Sequence, residues 1–318
     1  MGGTPRTTFG ARRDEAAGLG LGPTARALVE RIGGTPLFPL PSPGPRVRIL
    51  GKAEWFNPGG SVKDRPAWRI VRRALREGML PERRLLDASS GNTAIAYAWL
   101  GSAIGFPVTL CLPANASPER LGTLRAYGAE LVLTDPLEGT DGAIQRARRL
   151  AAAHPRRFWY ADQYANAENW RAHYLGTATE IWAQTRGRLT HFVAGLGTSG
   201  TLVGTGRRLR ELRPTVRIVS VEPAEPLHGL EGLKHMETAL RPAIYDDSVA
   251  HERLGVATEE AQEHAVRLAR EAGLLVGPSS GAAYAAALRV AARLEHGTIV
   301  PVLPDAGTRY LGGPWWSK

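Results

Sequence analysis

Lys63 stands in the turn Asn57-Pro-Gly-Gly-Ser-Val-Lys-Asp-Arg65, just ahead of a helical pattern that begins near Pro66. The positive end of a helix dipole disfavours an ammonium, so lysine is a poor choice there on capping grounds. Held in a Gly- and Ser-lined turn, its neutral amine is favoured and can form a Schiff base with a carbonyl carbon. A solvated turn lysine is the plain alternative. A second stretch, Ser89-Ser-Gly-Asn-Thr-Ala94, follows an apolar strand and opens a helix. Ser90, Asn92 and Thr93, with the backbone N–H groups, would make a nest for an anion such as a carboxylate; an ordinary capping turn would use the same residue types. The third, Val193-Ala-Gly-Leu-Gly-Thr-Ser-Gly-Thr201, contains Gly195-x-Gly197-x-x-Gly200 after an apolar run, the spacing of a dinucleotide turn. Glu222, about 20 residues on, is the candidate ribose partner of that reading. Thr198, Ser199 and Thr201 argue for a phosphate monoester instead, because their hydroxyls add donors to the start of the following helix. Two more turns of this type, Pro278-Ser-Ser-Gly-Ala-Ala283 and Asp305-Ala-Gly-Thr-Arg-Tyr310, lie near the C-terminus.

These turns need a scaffold. In 318 residues, apolar strand patterns (VRILGKAEW, RRLLDAS, PVTLCLP, AELVLTD, RFWY, THFVAGL, VRIVSVEP, LLVG and TIVPVLPD) alternate with amphipathic or alanine-rich helical patterns. That order predicts a parallel α/β fold with both sheet faces covered. It sets the glycine turns at the strand C-terminal ends, where helix N-termini converge on ligands. Two units dividing near residue 160 are expected: a flexible arm at 1–22, a smaller α/β domain at 46–160, and a larger one from 23–45 with 161–318. The net charge of +10 comes from arginines at helical spacing, such as RARRLAAAHPRR, and reads as solvated helix faces. No aromatic and basic interleaving accompanies them, so no nucleic acid is expected as partner. No apolar run approaches the ~18 residues of a membrane span. One cysteine, Cys111, excludes an internal disulfide framework. His251-Glu252 lacks a second histidine, so no metal is expected, and the cytoplasm is the expected compartment.

Taken together, GGTPL, NPGGSVKDR, SSGNTA, DQYANAENWRAHY, GLGTSGT, PSSGAA and DAGTRY resemble the cysteine synthase family in order and spacing, over about residues 30–312. DRPAWR, THFVAGLGTSGTLVGTGRRLR and PAIYD are most similar to its B-type members. The resemblance implies a pyridoxal 5′-phosphate enzyme of fold type II, with two open, mostly parallel sheets like the β subunit of tryptophan synthase. It implies a homodimer acting on small-molecule substrates. It implies that Lys63 holds the cofactor and moves the α-proton. Asn92 would bond the pyridoxal 3′-oxygen, Gly197, Thr198, Ser199, Gly200 and Thr201 the phosphate, and Ser279, with Ser280 adjacent, the ring nitrogen. Ser89, Ser90, Asn92 and Thr93 would grip the substrate carboxylate, with Gln163 closing over it. The implied reaction makes L-cysteine from O-acetylserine or O-phosphoserine and a sulfur donor such as sulfide, through an α-aminoacrylate. Elimination or dehydration on the same scaffold, a nicotinamide oxidoreductase, and a non-catalytic binding protein are the competing readings. Four departures from the family pattern matter, the first being Ser89, at the head of the carboxylate loop, where Thr is common. Gly59-Gly60 stands where Thr-Gly is frequent, which should loosen the turn before Lys63. Ala94 replaces a usual Gly, setting a methyl at the mouth of a helix the substrate approaches. The stretch after Val221-Glu222-Pro223 has no arginine, leaving His228, Lys234 and His235 as the cations near a leaving group.

Overall fold

Two sheets carry the chain in the computed structural model, which describes residues 16 and 18–317. The strands are β1 (Leu37–Leu40), β2 (Val47–Ala53), β3 (Arg84–Ala88), β4 (Val108–Pro113), β5 (Glu130–Thr134), β6 (Phe158–Tyr160), β7 (His191–Gly195), β8 (Arg217–Pro223), β9 (Glu252–Val256) and β10 (Gly297–Leu303). The helices are α1 (Pro23–Val29), α2 (Asp64–Arg76), α3 (Asn92–Ile104), α4 (Pro118–Ala126), α5 (Gly139–Ala153), α6 (Ala167–Ala172), α7 (Ala178–Gln184), α8 (Gly200–Leu212), α9 (Thr258–Ala272) and α10 (Pro278–Ala291). The smaller sheet runs β5-β4-β3-β6 and the larger β1-β2-β10-β7-β8-β9. Only β1 is antiparallel to its neighbour. This is the expected α/β, fold type II arrangement.

The period of two along each strand explains why both faces are covered. In β3, Leu85 packs on α2 and α3 while its neighbour Leu86 packs on α5. In β7 and β8, Val193, Val219 and Val221 face α9 and α10, and Phe192, Ala194 and Ile218 face α7 and α8. All of these side chains are buried. A strand sandwiched in this way reads as a continuous apolar run, which is the pattern found in the sequence.

Three expectations need correction. The strand at 47–53, expected in the smaller domain, lies in the larger sheet between β1 and β10, with Ile49 opposite Ile299 and Lys52 opposite Val302. Its inner residues are buried on both faces, and only a central place in a sheet provides that. LLVG forms no strand, only the single bridge Val276–Ala306, because the following Pro278 already starts α10. Both β1 and β9 went unread: each is an edge strand with exposed positions and so lacks the buried apolar signature. The arm expected at 1–22 falls largely outside the described residues. Among the described residues, no helix is long and apolar enough to cross a membrane.

Candidate active site

Four helices begin at the junction of the two sheets without a capping side chain. Their N-cap residues are Lys63 for α2, Gly91 for α3, Ser199 for α8 and Gly277 for α10. An uncapped helix start leaves N–H groups and a partial positive charge for a ligand. Side-chain caps are found at α4, where Ser117 accepts from the Arg120 amide, and at α6, where Asn166 accepts from the Glu168 amide. Helices α1, α5, α7 and α9 also start without one, so what distinguishes the four is that they start beside one cavity. Lys63, Ser89, Ser90, Asn92, Thr93, Gln163, Gly197 and Thr198 line a cavity of about 500 Å³ at this junction. A smaller pocket of about 30 Å³ adjoins it, lined by Lys63, Asn92, Gly197, Thr198, Ser199, Thr201 and Ser279 among others. Ser280 is fully buried and lies on neither lining. Gly200 lines neither as well. Its role is steric: a Cβ there would overlap Asn169 Oδ1.

Lys63 has a backbone in the helical region and bridges the two cavities. Burial pushes its amine below the usual lysine range, while the carboxylates of Asp305 and Glu54 oppose the shift. The preceding turn is braced, contrary to the looseness expected of Gly59-Gly60. The Gly59 amide donates to Asp64 Oδ2 at 2.5 Å, and Trp99 Nε1 donates to Asp64 Oδ1 at 3.2 Å. Trp99 fills the space where a Gly59 side chain would project. The GGTPL motif supports the same turn: Gly33 N donates to Asn57 Oδ1 at 2.7 Å, and Thr35 Oγ1 donates to Glu54 Oε1 at 2.7 Å.

The hydroxyls of the two candidate anion loops are not spent on capping. Thr93 Oγ1 donates to Gln163 Oε1 at 2.7 Å, and Gln163 Nε2 donates to the Ala88 carbonyl at 2.9 Å, which fixes Gln163 over the Ser89–Thr93 loop. Asp87 lies beneath, accepting from the Gln163 amide at 3.1 Å; burial pushes its carboxyl up to about 7. In the glycine turn, Ser199 has φ 69°, a left-handed backbone, and its buried Oγ has no hydrogen-bond partner. A strained residue with an orphaned buried hydroxyl at an uncapped helix start suits a phosphate oxygen. Two residues that sequence reasoning missed hold this turn from behind. Asn169 Nδ2 donates to Thr198 Oγ1 at 3.0 Å and to the Gln163 carbonyl at 2.7 Å. His173 approaches Thr201 Oγ1 through Nε2 at 3.3 Å and Thr177 Oγ1 through Nδ1 at 2.9 Å. Burial, with Arg65 nearby, pushes its imidazole down to about 3, so it is a neutral partner at physiological pH. Both lie in DQYANAENWRAHY, and the motif was the available signal.

The charges at the cavity differ from expectation too. Lys234 lines it but is paired with Asp141 Oδ1 at 2.8 Å and lies over the Tyr164 ring. His228 also lines it, its Nδ1 accepting from the Leu230 amide at 3.2 Å; His235 does not. Arg120, unread in the sequence, lines the cavity and pairs with Glu231. Ala94 is wholly buried in the core, so its methyl does not obstruct the mouth. Glu222, the ribose candidate of the dinucleotide reading, accepts from the Met236 amide at 3.1 Å and serves its own loop.

Comparison with known proteins agrees with this geometry. A family model described as pyridoxal-phosphate dependent enzyme matches residues 28–305. The chain is 49% identical to the cysteine synthase of Aquifex aeolicus over 294 residues, covering 89% of this chain and 90% of that one. It is 41% identical to cysteine synthase B of Pseudomonas aeruginosa, covering 89% and 95%. A solved cysteine synthase from Entamoeba histolytica superposes with a TM-score of 0.86 at 35% identity, over 92% of this chain and 90% of the other. With a lysine at the meeting point of four uncapped helices and two hydroxyl-rich loops beside it, the chain belongs to the cysteine synthase family of pyridoxal-phosphate-dependent enzymes.

Proposed function

We propose that the protein makes L-cysteine by replacing the β-substituent of O-acetyl-L-serine with sulfide, with O-phosphoserine no better as donor. The observation that carries the reading is that two hydroxyl-bearing helix starts line the cavities that Lys63 bridges. One suits a carboxylate (Ser89 to Thr93) and the other a phosphate (Gly197 to Thr201). Pyridoxal phosphate, when bound, supplies the electron sink that makes the substrate's α-proton removable. Lys63 holds that group and moves the α-proton at Nζ, a task suited to an amine that burial has made less basic. Ser89, Ser90 and Thr93 hold the carboxylate, and Gln163 fixes their loop. Ser279 offers a hydroxyl to the ring nitrogen, and Asn92 an N–H to the ring oxygen.

The state of the two cavity cations supports the donor. Arg120 and Lys234 are each neutralised by a carboxylate, Glu231 and Asp141. A phosphomonoester leaving group would have to displace one of these; an acetyl ester carries no charge and displaces neither. Rapid mixing with a panel of O-activated serines tests this, with kcat/KM compared at one ionic strength. A preference for O-phosphoserine above roughly 100-fold overturns the donor assignment. We further infer a homodimer, as is commonest among symmetric assemblies, and sedimentation of a fully active monomer would overturn it. The unpaired, buried Cys111 suits a reducing compartment, the cytoplasm.

A further inference from the structure

After β10 the chain returns to the Lys63 turn. The Val62 amide donates to the Pro304 carbonyl at 2.9 Å, and Ser61 and Asp305 form a backbone bridge. Two side chains from this segment then meet Asn92, more than 200 residues earlier. Asn92 Nδ2 donates to Asp305 Oδ2 at 2.7 Å, and Arg309 donates to Asn92 Oδ1. The chemistry of the partners decides which way the amide lies: a guanidinium has no acceptor, and a carboxylate with two donors upon it has nothing to donate. The same Asp305 oxygen also accepts from the Tyr310 hydroxyl at 2.7 Å, and the same guanidinium donates to the Gly59 carbonyl. One Asn92 N–H is left without a partner among the described residues, on a side chain that lines both cavities.

We propose that Asp305 and Arg309 are positioning residues that clamp the Asn92 carboxamide in one orientation, so that its remaining N–H is a fixed donor to the cofactor's ring oxygen. The proposal rests on the assignment of Asn92 to the cofactor made above. A free amide flips between two orientations, and half of its population would present an acceptor to that oxygen; the clamp removes this loss before the ligand arrives. Asp305 is fully buried, yet its Oδ1 has no donor. A buried carboxylate with an unsatisfied oxygen is a poor stability device, so its presence beside Asn92 points to a task. It also opposes the burial-driven fall in Lys63 basicity, so it has a second route to the site that the test must separate.

A double-substitution cycle on the full-length holoenzyme does so. It reads the cofactor dissociation constant, from loss of visible absorbance on dilution, and the ratio of visible to near-ultraviolet bands, which reports hydrogen bonding at the ring oxygen. Asn92→Ala and Asp305→Ala are each expected to weaken retention about tenfold, the effect of one hydrogen bond to a charged group. The double variant should be no weaker than Asn92→Ala within about twofold, because Asp305 acts through Asn92. Asp305→Asn still offers Asn92 an oxygen and should stay within about threefold of the parent. If Asp305→Ala fails to fold, Arg309→Met removes the clamp from a half-buried position and should shift the band ratio in the same direction. Equal losses from Asp305→Ala with and without Asn92 overturn the clamp and assign Asp305 to Lys63 or to the fold. If Asn92→Ala weakens retention and neither Asp305→Ala nor Arg309→Met does, the clamp alone is wrong. If Asn92→Ala changes neither readout, the assignment of Asn92 is wrong and the clamp falls with it.

Discussion

Replacing Gly59 with threonine, the residue frequent at this position in the family, should damage this chain. A Cβ at Gly59 would overlap Trp99 Nε1 and Asp64 Oδ1 and come within 2.6 Å of Trp99 Cδ1. Trp99 is nearly fully buried and Asp64 completely so, and neither can move into solvent. Overpacking a filled core costs about 1–3 kcal/mol. Displacing Asp64 from its two donors, the Gly59 amide and the Trp99 indole, adds about 1.5–3 kcal/mol. The sum, about 2.5–6 kcal/mol, lowers Tm by about 5–12 °C at roughly 2 °C per kcal/mol for a chain of this length. Because Asp64 follows Lys63 directly, the shift reaches the reactive amine, and kcat/KM should fall at least about tenfold. Differential scanning calorimetry and steady-state kinetics read both effects. Adding Trp99→Phe removes the indole N–H and the ring edge that occupy the space, and lets the threonine hydroxyl donate to Asp64. The double variant should recover at least half of the lost Tm. An unchanged Tm for Gly59→Thr, or a double variant no better than the single, refutes the claim that Trp99 takes the place of that side chain.

Lys63→Ala should abolish turnover and covalent retention of the cofactor; borohydride fixation at another lysine with turnover intact would refute its role. Thr198→Ala and Thr201→Ala should each weaken cofactor retention by about 1–3 kcal/mol, read by equilibrium dialysis, and unchanged affinity in both would show that backbone amides suffice. Asp87 has a folded-state pKa of about 7 against an ordinary 3.8, so the folded protein binds more protons than the unfolded between those values. Its contribution to stability therefore falls as pH rises through that window and is constant above it. The Tm of the parent relative to Asp87→Asn should decline from about pH 4 to 7, and a pH-independent difference would show that the carboxyl titrates normally.

The residues most legible in the sequence were those whose surroundings are local. The helix Asn92–Ile104 matches its pattern NTAIAYAWLGSAI from end to end, and β3, β4, β7 and β8 announce themselves as apolar runs because helices cover both their faces. Edge strands β1 and β9 escaped because exposure on one side dilutes the same signal. The sheet that β2 joins could not be read from β2, since its partner β10 lies some 250 residues on. At the site, the turns themselves were visible, and so were the hydroxyls within them. Arg120, Asn169, His173, Asp305 and Arg309 were not, since each acts through a contact with a distant segment. DAGTRY, for instance, gave no sign that Asp305 would meet Asn92 across 213 positions.

The place of β10 between β2 and β7 has a consequence for biosynthesis. The smaller sheet draws on residues 84–160 and can close while the ribosome is still translating the rest. The larger sheet cannot. Until residues 297–303 emerge, it exists as two separated pieces, the β1–β2 hairpin and the β7–β8–β9 ribbon, each with an open edge on the side where β10 belongs. Chains arrested near residue 290 should therefore be protease-resistant over 84–160 and cleaved within 191–256. The last strand to be made is the one that joins the two pieces, and the clamp on Asn92 follows within a few residues of it. A product cut short thus fails as a folded protein before it can bind a cofactor, and is left to the cell's degradation machinery.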